Sequence, residues 1–373
     1  MKSNQAKPIC LFLCGDVMTG RGVDQILPHP GNPMLYEYSV RDARYYVELA
    51  ESVHGTIQKP VDFPYLWGDA LEELERAGAD ARIINLETSV TSSEDYWPDK
   101  EVLYRMHPGN IGCLTAARID CCCLANNHVL DWGYRGLAET LQTLDRAGVA
   151  HAGAGRNAAE AASPVMLDLA DKGRVLVFAF GSPTSGIPLE WGATKDRPGV
   201  NLLDDLSEET ARGVAEQVWQ IKRPGDVTVV SIHWGGNWGY EVPCEQITFA
   251  HRLIDEGVDV VHGHSSHHVK AVEVYRDRVI LYGCGDFLTD YEGIGGYEVF
   301  RSDLALMYLV KMDPREGRLA EARLVPLRSK RFRLSYVSDE DANWLCDLVN
   351  RLGVPFGTQA RLERDNSMTL RWR

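Results

Sequence analysis

Short apolar runs alternate with segments of helical spacing along most of the chain. The apolar run 9–15 predicts a buried strand that ends in a polar loop. In segment 67–77, Leu71, Leu74 and Ala77 share one helical face and acidic residues lie opposite, which predicts an amphipathic helix. The same patterns predict further strands at 81–87, 119–125, 174–180, 226–233, 258–262, 279–283 and 305–310. They predict further helices at 136–147, 246–256 and 339–352. Such alternation is typical of a layered α/β fold.

The order of these elements indicates one large domain over residues 1–325 and a C-terminal appendage over residues 326–373. Within the large domain, the stretch 27–62 is rich in Pro, Gly and Tyr and shows no regular pattern. It is too long for a simple connection, so we predict a lid-like insertion there. The appendage holds the helix predicted near 339–352, with Ser338 as its N-cap.

Polar residues that can bind a metal follow five of the predicted strands. They are Asp16, Glu87, Asn127, His233 and His264. In layered α/β folds, ligands bind outside the carboxyl ends of the strands, where the loops converge. The sequence therefore predicts that these five side chains meet in one site.

Carboxylate, amide and imidazole groups together suit a divalent ion such as Zn, Mn, Fe or Mg. Glu87 has two carboxylate oxygens and could bridge two ions. His264 and His267 are three residues apart after a glycine, so one sharp loop could present both. A metal held there would acidify a bound water or polarise a carbonyl or phosphoryl oxygen.

Charge and cysteine content narrow the class of protein. The chain has 39 basic and 53 acidic residues and a formal net charge of -14, which disfavours binding to nucleic acid or anionic lipid. The apolar run 9–14 is too short for a signal-peptide core, and no run reaches the roughly 20 apolar residues of a membrane span. The nine cysteines show no paired spacing, so we predict free thiols in a cytoplasmic protein.

Five short motifs follow the predicted strands in order. They are Gly15-Asp16-Val17-Met18-Thr19-Gly20-Arg21, Asn85-Leu86-Glu87, Leu124-Ala125-Asn126-Asn127-His128 with Asp131 and Gly133, His233-Trp234-Gly235, and Gly263-His264 through His267. In this order they resemble the motifs of the CapA family of poly-γ-glutamate capsule synthesis proteins, over roughly residues 10–290. CapA proteins are similar to calcineurin-like metallophosphatases. The resemblance therefore implies a four-layer αββα sandwich of two mixed sheets.

The resemblance also implies roles for individual residues. The positions that match metal ligands are Asp16, Glu87, Asn127, His233, His264 and His267, with Glu87 as the bridging ligand. His128 matches the catalytic histidine. Met18 stands where the superfamily has a histidine, which weakens one metal site, so the resemblance implies one or two divalent ions. The better-filled site would contain Glu87, Asn127, His233 and His264, and the poorer one Asp16, Glu87 and His267.

Residues beside these ligands are candidates for substrate binding and proton transfer. Asp131, three residues after His128, is predicted to orient that histidine or to cap the following helix. Arg21 and Arg105 are candidates for an anionic substrate group, because a guanidinium fork matches carboxylate or phosphate. Structural ion pairs would explain both arginines equally well. Trp234 is a candidate wall of the substrate site or a core residue.

The chain departs from the capsule-type pattern at several positions. Asn237 stands where a glutamate is usual, and Asp286 replaces an expected asparagine. The loop 263–268 reads Gly-His-Ser-Ser-His-His in place of Gly-His-His-Pro-His. We also expect this protein to lack the membrane anchor of the capsule-type proteins. We therefore predict a soluble subgroup with its own substrate, with Asn237 as a substrate-binding residue and Asp286 as an acid–base group.

Four functions fit these residues. The first is metal-dependent hydrolysis or transfer of an amide in a peptide or polyglutamate-type substrate, and it rests on the CapA resemblance. The second is a metal-dependent peptide epimerase in which His128 and Asp286 exchange an α-proton. The third is a phosphoesterase, which rests on fold analogy alone, and the fourth is a non-catalytic accessory protein that retains a metal. We expect the first, with negligible turnover of simple phosphate esters because Met18 supplies no hard ligand.

Overall fold

The computed structural model describes residues 7–373 of the chain. Strands β1–β20 span, in chain order, Ile9–Val17, Ala81–Leu86, Ser89–Val90, Arg105–Met106, Cys121–Cys123, Ala150–Ala152, Ala154–Gly155, Val165–Asp168, Arg174–Gly181, Gly199–Val200, Val227–His233, Val260–His264, Val272–Tyr275, Arg278–Leu281, Asp286–Leu288, Leu304–Asp313, Arg318–Lys330, Arg333–Tyr336, Gln359–Leu362 and Met368–Arg371. Helices α1–α9 span Arg21–Ile26, Arg44–His54, Ala70–Ala77, Gly112–Ala116, Gly133–Ala147, Ala158–Ala162, Glu208–Ile221, Cys244–Asp255 and Asp339–Gly353.

Most of these strands form two mixed sheets. The larger sheet has the order β19-β20-β17-β16-β1-β2-β5-β6, with β15 beside the end of β1 and β18 beside β17. Strands β1, β2, β5 and β6 run parallel, whereas β16 is antiparallel to β1. The smaller sheet has the order β13-β14-β12-β11-β9-β8, with a parallel centre and antiparallel strands at both edges.

Alternation of side chains along the strands places one core between the sheets and one on each outer face. In β1, Leu11 and Leu13 pack against the smaller sheet, and Phe12 points to the opposite face, which α3 and α5 cover. Helices α7 and α8 cover the outer face of the smaller sheet, where they pack on side chains such as Phe178. The layers are thus helices, sheet, sheet and helices, which confirms the predicted four-layer αββα sandwich.

Several element boundaries differ from the sequence prediction. Strand β1 continues to Val17, so Asp16 lies within the strand, because parallel pairing with β2 and β15 extends that far. The strand predicted at 119–125 is reduced to Cys121–Cys123, and the helix predicted from residue 67 begins at Ala70. The helix with Ser338 as its N-cap is confirmed, since the Ser338 side chain accepts a hydrogen bond from the backbone N–H of Asp341.

The lid-like insertion and the C-terminal appendage stay predictions of domain organisation. Stretch 27–62 includes helix α2, which the sequence pattern did not indicate. Strand β17 crosses the predicted boundary at residue 325, and β20 pairs with it through Arg323 and Thr369. Helix α9 buries Leu345 and Val349 in the core between the sheets. Residues 326–373 thus extend the larger sheet and its core.

All nine cysteines are free, and all except Cys244 are buried. They pack as small apolar side chains, mostly in the sheets. No helix within residues 7–373 combines the length and the apolar character that crossing a bilayer requires.

Close approach of two backbone segments near the end of β1 requires a glycine. A Cβ at Gly15 would lie 1.6 Å from the carbonyl oxygen of Gly285, just before β15. We expect Gly15→Ala to separate β15 from β1 and to lower the free energy of unfolding by about 1–3 kcal/mol or more, as overpacking does. Gly213→Ala in α7 is the matched control, because its Cβ would meet nothing within 4 Å. Urea denaturation should show no decrease in the free energy of unfolding for this control. An unchanged urea midpoint for Gly15→Ala would contradict the prediction.

Candidate functional site

The carboxyl ends of the central strands in both sheets meet at one edge of the sandwich. Asp16 lies near the end of β1, and Glu87 follows β2. His233 and His264 end the neighbouring parallel strands β11 and β12 and are directly paired in register. Parallel pairing brings the ends of adjacent strands to the same edge, so residues far apart in sequence become neighbours.

Asp16, His233 and His264 form a buried cluster in which three potential ligand atoms lie within 4.8 Å of one another. The two Nδ1 atoms of the histidines are 2.8 Å apart, and Nδ1 of His264 is 3.8 Å from Oδ1 of Asp16. Neighbouring polar groups orient the cluster: Asn85 donates to Oδ1 of Asp16 at 2.7 Å, and the Ser231 hydroxyl contacts Nε2 of His264 at 2.9 Å. Supporting hydrogen bonds of this kind hold metal ligands in place.

Glu87 and Asn127 approach the same cluster. Oδ1 of Asn127 is 3.0 Å from Nε2 of His233, and Oε1 of Glu87 is 3.7 Å from the same nitrogen. The second carboxylate oxygen of Glu87 is buried and has no hydrogen-bond partner among the described residues. Because an unpaired buried carboxylate oxygen is costly, this atom indicates a missing positive partner.

Asp286 and His267 form a hydrogen-bonded pair next to Asp16. The short strand β15 places Asp286 beside Asp16 in register. Oδ1 of Asp286 lies 3.0 Å from Nδ1 of His267, and its buried Oδ2 has no partner within residues 7–373. Asp286, predicted as an acid–base group, is therefore paired with a predicted metal ligand.

Burial and the charges of neighbouring groups shift the pKa values of the carboxylates and histidines in this site. Burial, with the charge of Asp286, raises the pKa of Asp16 to about 7. Burial and the charge of Asp16 raise the pKa of Glu87 well above its ordinary range. Burial lowers the pKa of His233 and of His264 well below the usual value, so both rings are neutral at pH 7 and offer lone pairs. Crowded carboxylates with neutral imidazoles fit a divalent metal ion, whose charge offsets the repulsion.

The division of the ligands into a better-filled and a poorer metal site stays a prediction. Asp16, expected in the poorer site, lies with His233 and His264 in the tightest cluster. His267 is not part of this cluster and pairs with Asp286.

His128 lies beside the cluster in a hydrogen-bonded group of its own. Its Nδ1 is 2.7 Å from Oδ2 of Asp131, and its Nε2 faces Glu87, 3.9 Å from Oε1. Lys100 contacts both members, with Nζ 2.5 Å from Oδ1 of Asp131 and 3.0 Å from Nδ1 of His128. The ring of Tyr104 stacks on the imidazole at 3.8 Å. Burial lowers the pKa of His128 to about 4, so this ring is also neutral at pH 7.

A cavity of about 480 Å³ opens onto these groups. Its floor includes Glu87, Asn127, His128 and His267. Aromatic side chains form much of its wall, namely Tyr46, Tyr104, Trp238, Tyr291 and Tyr297. A concave, largely aromatic cavity with a few convergent polar groups is the usual form of a small-molecule or peptide site.

Two of the predicted substrate-binding residues line this cavity and two do not. Arg21 and Asn237 lie in its wall. Arg105 instead donates to the backbone carbonyls of Ser93 and Asn32 and lies over the Trp132 ring. The indole of Trp234 donates to the carbonyl of Tyr282 in the outer core of the smaller sheet. The structure thus favours a structural role for Arg105 and a core position for Trp234, which are the second of the two roles predicted for each residue.

The sequence pattern missed several cavity residues. Lys100, Tyr104 and Tyr291 lie in segments without regular periodicity. Glu37 lies in the stretch 27–62, which was predicted as a lid without individual residues. No motif singles out these side chains, because their proximity depends on how distant loops pack.

Comparison with known proteins identifies the family. The family described as "Bacterial capsule synthesis protein PGA_cap" matches residues 10–291. A Mycobacterium tuberculosis (strain H37Rv) protein named "Probable polyglutamine synthesis accessory protein" is 48% identical over 359 residues, which cover 96% of this chain and 94% of that protein.

More distant relatives carry related names. "Capsule biosynthesis protein CapA" of Bacillus anthracis is 23% identical over 85% of this chain and 70% of its own length. "PGA biosynthesis protein CapA" of Bacillus subtilis (strain 168) is 24% identical over 74% of this chain and 62% of its own length. The family match covers most of the chain and includes the residues of the buried cluster, so this chain belongs to the bacterial capsule synthesis protein PGA_cap family.

Proposed function

We propose that this chain is a metal-dependent enzyme that hydrolyses or transfers a glutamyl amide bond in a peptide-type substrate. The observation that carries the proposal is the position of His128. Its Nε2 faces the carboxylate of Glu87 across the floor of the cavity, beside the candidate metal ligands. A proton carrier and a metal centre that share one cavity are the parts that amide chemistry requires. The names of the relatives, which refer to polyglutamine synthesis and to PGA biosynthesis, support a substrate related to such a polymer.

Asp16, His233 and His264 would hold the ion, with Glu87, Asn127 and His267 as further ligands. The ion would supply Lewis-acid polarisation of the substrate carbonyl. Two buried carboxylate oxygens, on Glu87 and Asp286, have no partner within residues 7–373, and they support this assignment. Mn, Zn, Fe and Mg are all compatible with carboxylate, amide and imidazole ligands.

His128 would transfer the proton. Asp131 would accept the Nδ1–H of His128, which would leave the Nε2 lone pair directed to the cavity. His128 would take a proton from the attacking water or amine and return it to the leaving nitrogen. Lys100 balances the charge of Asp131, and the backbone N–H of Tyr104 donates to the same carboxylate at 2.6 Å, so the group is held in one orientation.

The walls of the cavity would bind the substrate. Tyr104, Tyr291 and Trp238 provide flat apolar surfaces that exclude water and pack against an extended peptide. Arg21 would bind a carboxylate of the substrate, and Asn237 would offer an amide in the same lining. We place this activity in the cytoplasm.

An assay of the metal-loaded protein tests the proposal. The protein is incubated in heavy water with α- and γ-linked glutamyl peptides, and separately with p-nitrophenyl phosphate and a phosphate bis-ester. We expect amide cleavage or transfer in the mass spectrum and negligible release of p-nitrophenol. Deuterium at an α-carbon without cleavage would replace the proposal by an epimerase, and rapid phosphate-ester turnover would replace it by a phosphoesterase. Absence of all three reactions would favour an accessory protein without catalytic activity.

A further inference from the structure

The guanidinium of Arg21 is enclosed in the cavity wall. Its Nε and Nη2 donate to the two carboxylate oxygens of Asp290 at 3.1 and 2.6 Å. The rings of Tyr46 and Tyr104 lie over it, with centroids 3.8 and 4.8 Å from Cζ. Its remaining nitrogen, Nη1, donates to Glu37 at 2.9 Å. Arg21 is thus held by one carboxylate on each side.

The two carboxylates differ in how firmly they are fixed. Asp290 is fully buried and also accepts the backbone N–H of Gly22 at 2.8 Å, close to strand β15. Glu37 instead belongs to a seven-residue loop, 35–41, that is closed at its base by the bridge between Met34 and Asp42. Apart from Arg21, its side chain is bound by the hydroxyl of Tyr46. Glu37 can therefore leave Arg21 by a movement of one loop, and Asp290 cannot.

The charges around the cavity disfavour binding of an anionic substrate while Glu37 remains on Arg21. Two basic side chains other than histidine line the described part of the cavity, Arg21 and Lys100. Lys100 is paired with Asp131, and Arg21 with Asp290 and Glu37. Both are therefore already paired with a carboxylate, and a further carboxylate would compete with Glu37 for Nη1 of Arg21. Glu37 adds negative charge to the same lining, which repels an incoming anion.

We propose that Glu37 is an internal stand-in for a substrate carboxylate, which replaces it on Arg21 when the substrate binds. The inference rests on the proposed function for the identity of the ligand, a glutamyl peptide. Exchange of one carboxylate for another conserves the charge and the hydrogen bonds of Arg21. A neutral amide in the same place makes a weaker bond to the guanidinium, so the exchange selects ligands that carry a carboxylate.

Calorimetric titration of the metal-loaded protein with glutarate, and with glutaramide as the neutral probe, tests the inference. Glu37→Gln retains a side chain that can hydrogen-bond to Arg21 but removes the competing charge. We expect it to bind glutarate at least about tenfold more tightly than the wild type. The reason is that a hydrogen bond between charged groups is more stable than a neutral one by a free energy that corresponds to about this factor in the dissociation constant. The affinity for glutaramide should change much less.

Glu94→Gln is the matched control. Glu94 pairs with Arg105, another buried arginine, outside this cavity. We expect its affinity for glutarate to equal that of the wild type. Glu37→Asp is the second variant, in case Glu37→Gln is unstable in thermal unfolding. The shorter side chain keeps the charge but reaches Arg21 less well, so it should bind glutarate more tightly than the wild type.

Equal or weaker binding of glutarate by the folded Glu37 variants would overturn the inference and make Glu37 a structural partner of Arg21. No detectable binding by any form would overturn it as well. Because the titration requires no turnover, its result is independent of the activity assay. Tighter binding without amide cleavage would retain the carboxylate subsite and reject the proposed reaction. Amide cleavage with unchanged glutarate binding in the Glu37 variants would retain the proposed reaction and reject the carboxylate subsite.

Discussion

Replacing His233 by alanine is expected to remove the metal from the candidate centre. His233 contacts more of the predicted ligands than any other member of the described cluster: Nδ1 lies against His264, and Nε2 lies near Asn127 and Glu87. Loss of an outer-shell partner alone typically weakens metal affinity by about 10–100-fold, and loss of a direct ligand should cost more. We therefore expect purified His233→Ala to contain less than about a tenth of the wild-type metal.

Elemental analysis of protein prepared without chelator measures this effect. His251→Ala is the matched control, because His251 lies on α8 and pairs with Glu273 away from the cavity. It should retain the metal content of the wild type. Thermal unfolding of both variants in the presence of chelator separates loss of the ligand from loss of the fold. Wild-type metal content in His233→Ala would show that this histidine is not a ligand.

His128→Ala is expected to lower kcat for amide cleavage by about 10²–10⁴-fold, the usual contribution of a positioned proton carrier. Metal content should not change, since His128 is not among the predicted ligands and its Nε2 is 3.9 Å from Oε1 of Glu87. The effect should fall mainly on kcat, because proton transfer acts in the transition state. Steady-state kinetics on the glutamyl peptide, together with elemental analysis, measures both properties.

Asp131→Asn tests the positioning of the same histidine. Asparagine keeps the size of the side chain but leaves Lys100 without its acidic partner and presents a weaker acceptor to Nδ1 of His128. We expect kcat to fall by a smaller factor than in His128→Ala, with KM nearly unchanged. Arg135→Ala, on the exposed surface of α5, is the control and should have wild-type kinetics.

A His128→Ala enzyme with wild-type kcat would exclude His128 as the proton carrier.

The sequence alone determined the layered architecture and the location of the metal candidates. Apolar runs such as β1, β11 and β12 are buried on both faces, so their composition marks them as strands without knowledge of their partners. A polar residue at the end of such a run must lie at the edge of the sheet. For that reason Asp16, His233 and His264 could be predicted to meet from local pattern and motif order.

The tertiary structure decided which side chains contact one another. Short strands such as β15 carry too few residues for a periodic signal, so the pairing of Asp286 with His267 could not be predicted. Glu37, Arg21 and Asp290 form one ion cluster although 269 positions separate the last two. Hydrophobic periodicity reports which face of an element is buried, which is a local property. The partner of a buried charge depends on loops from distant parts of the chain, and those positions are set by packing of the complete sandwich.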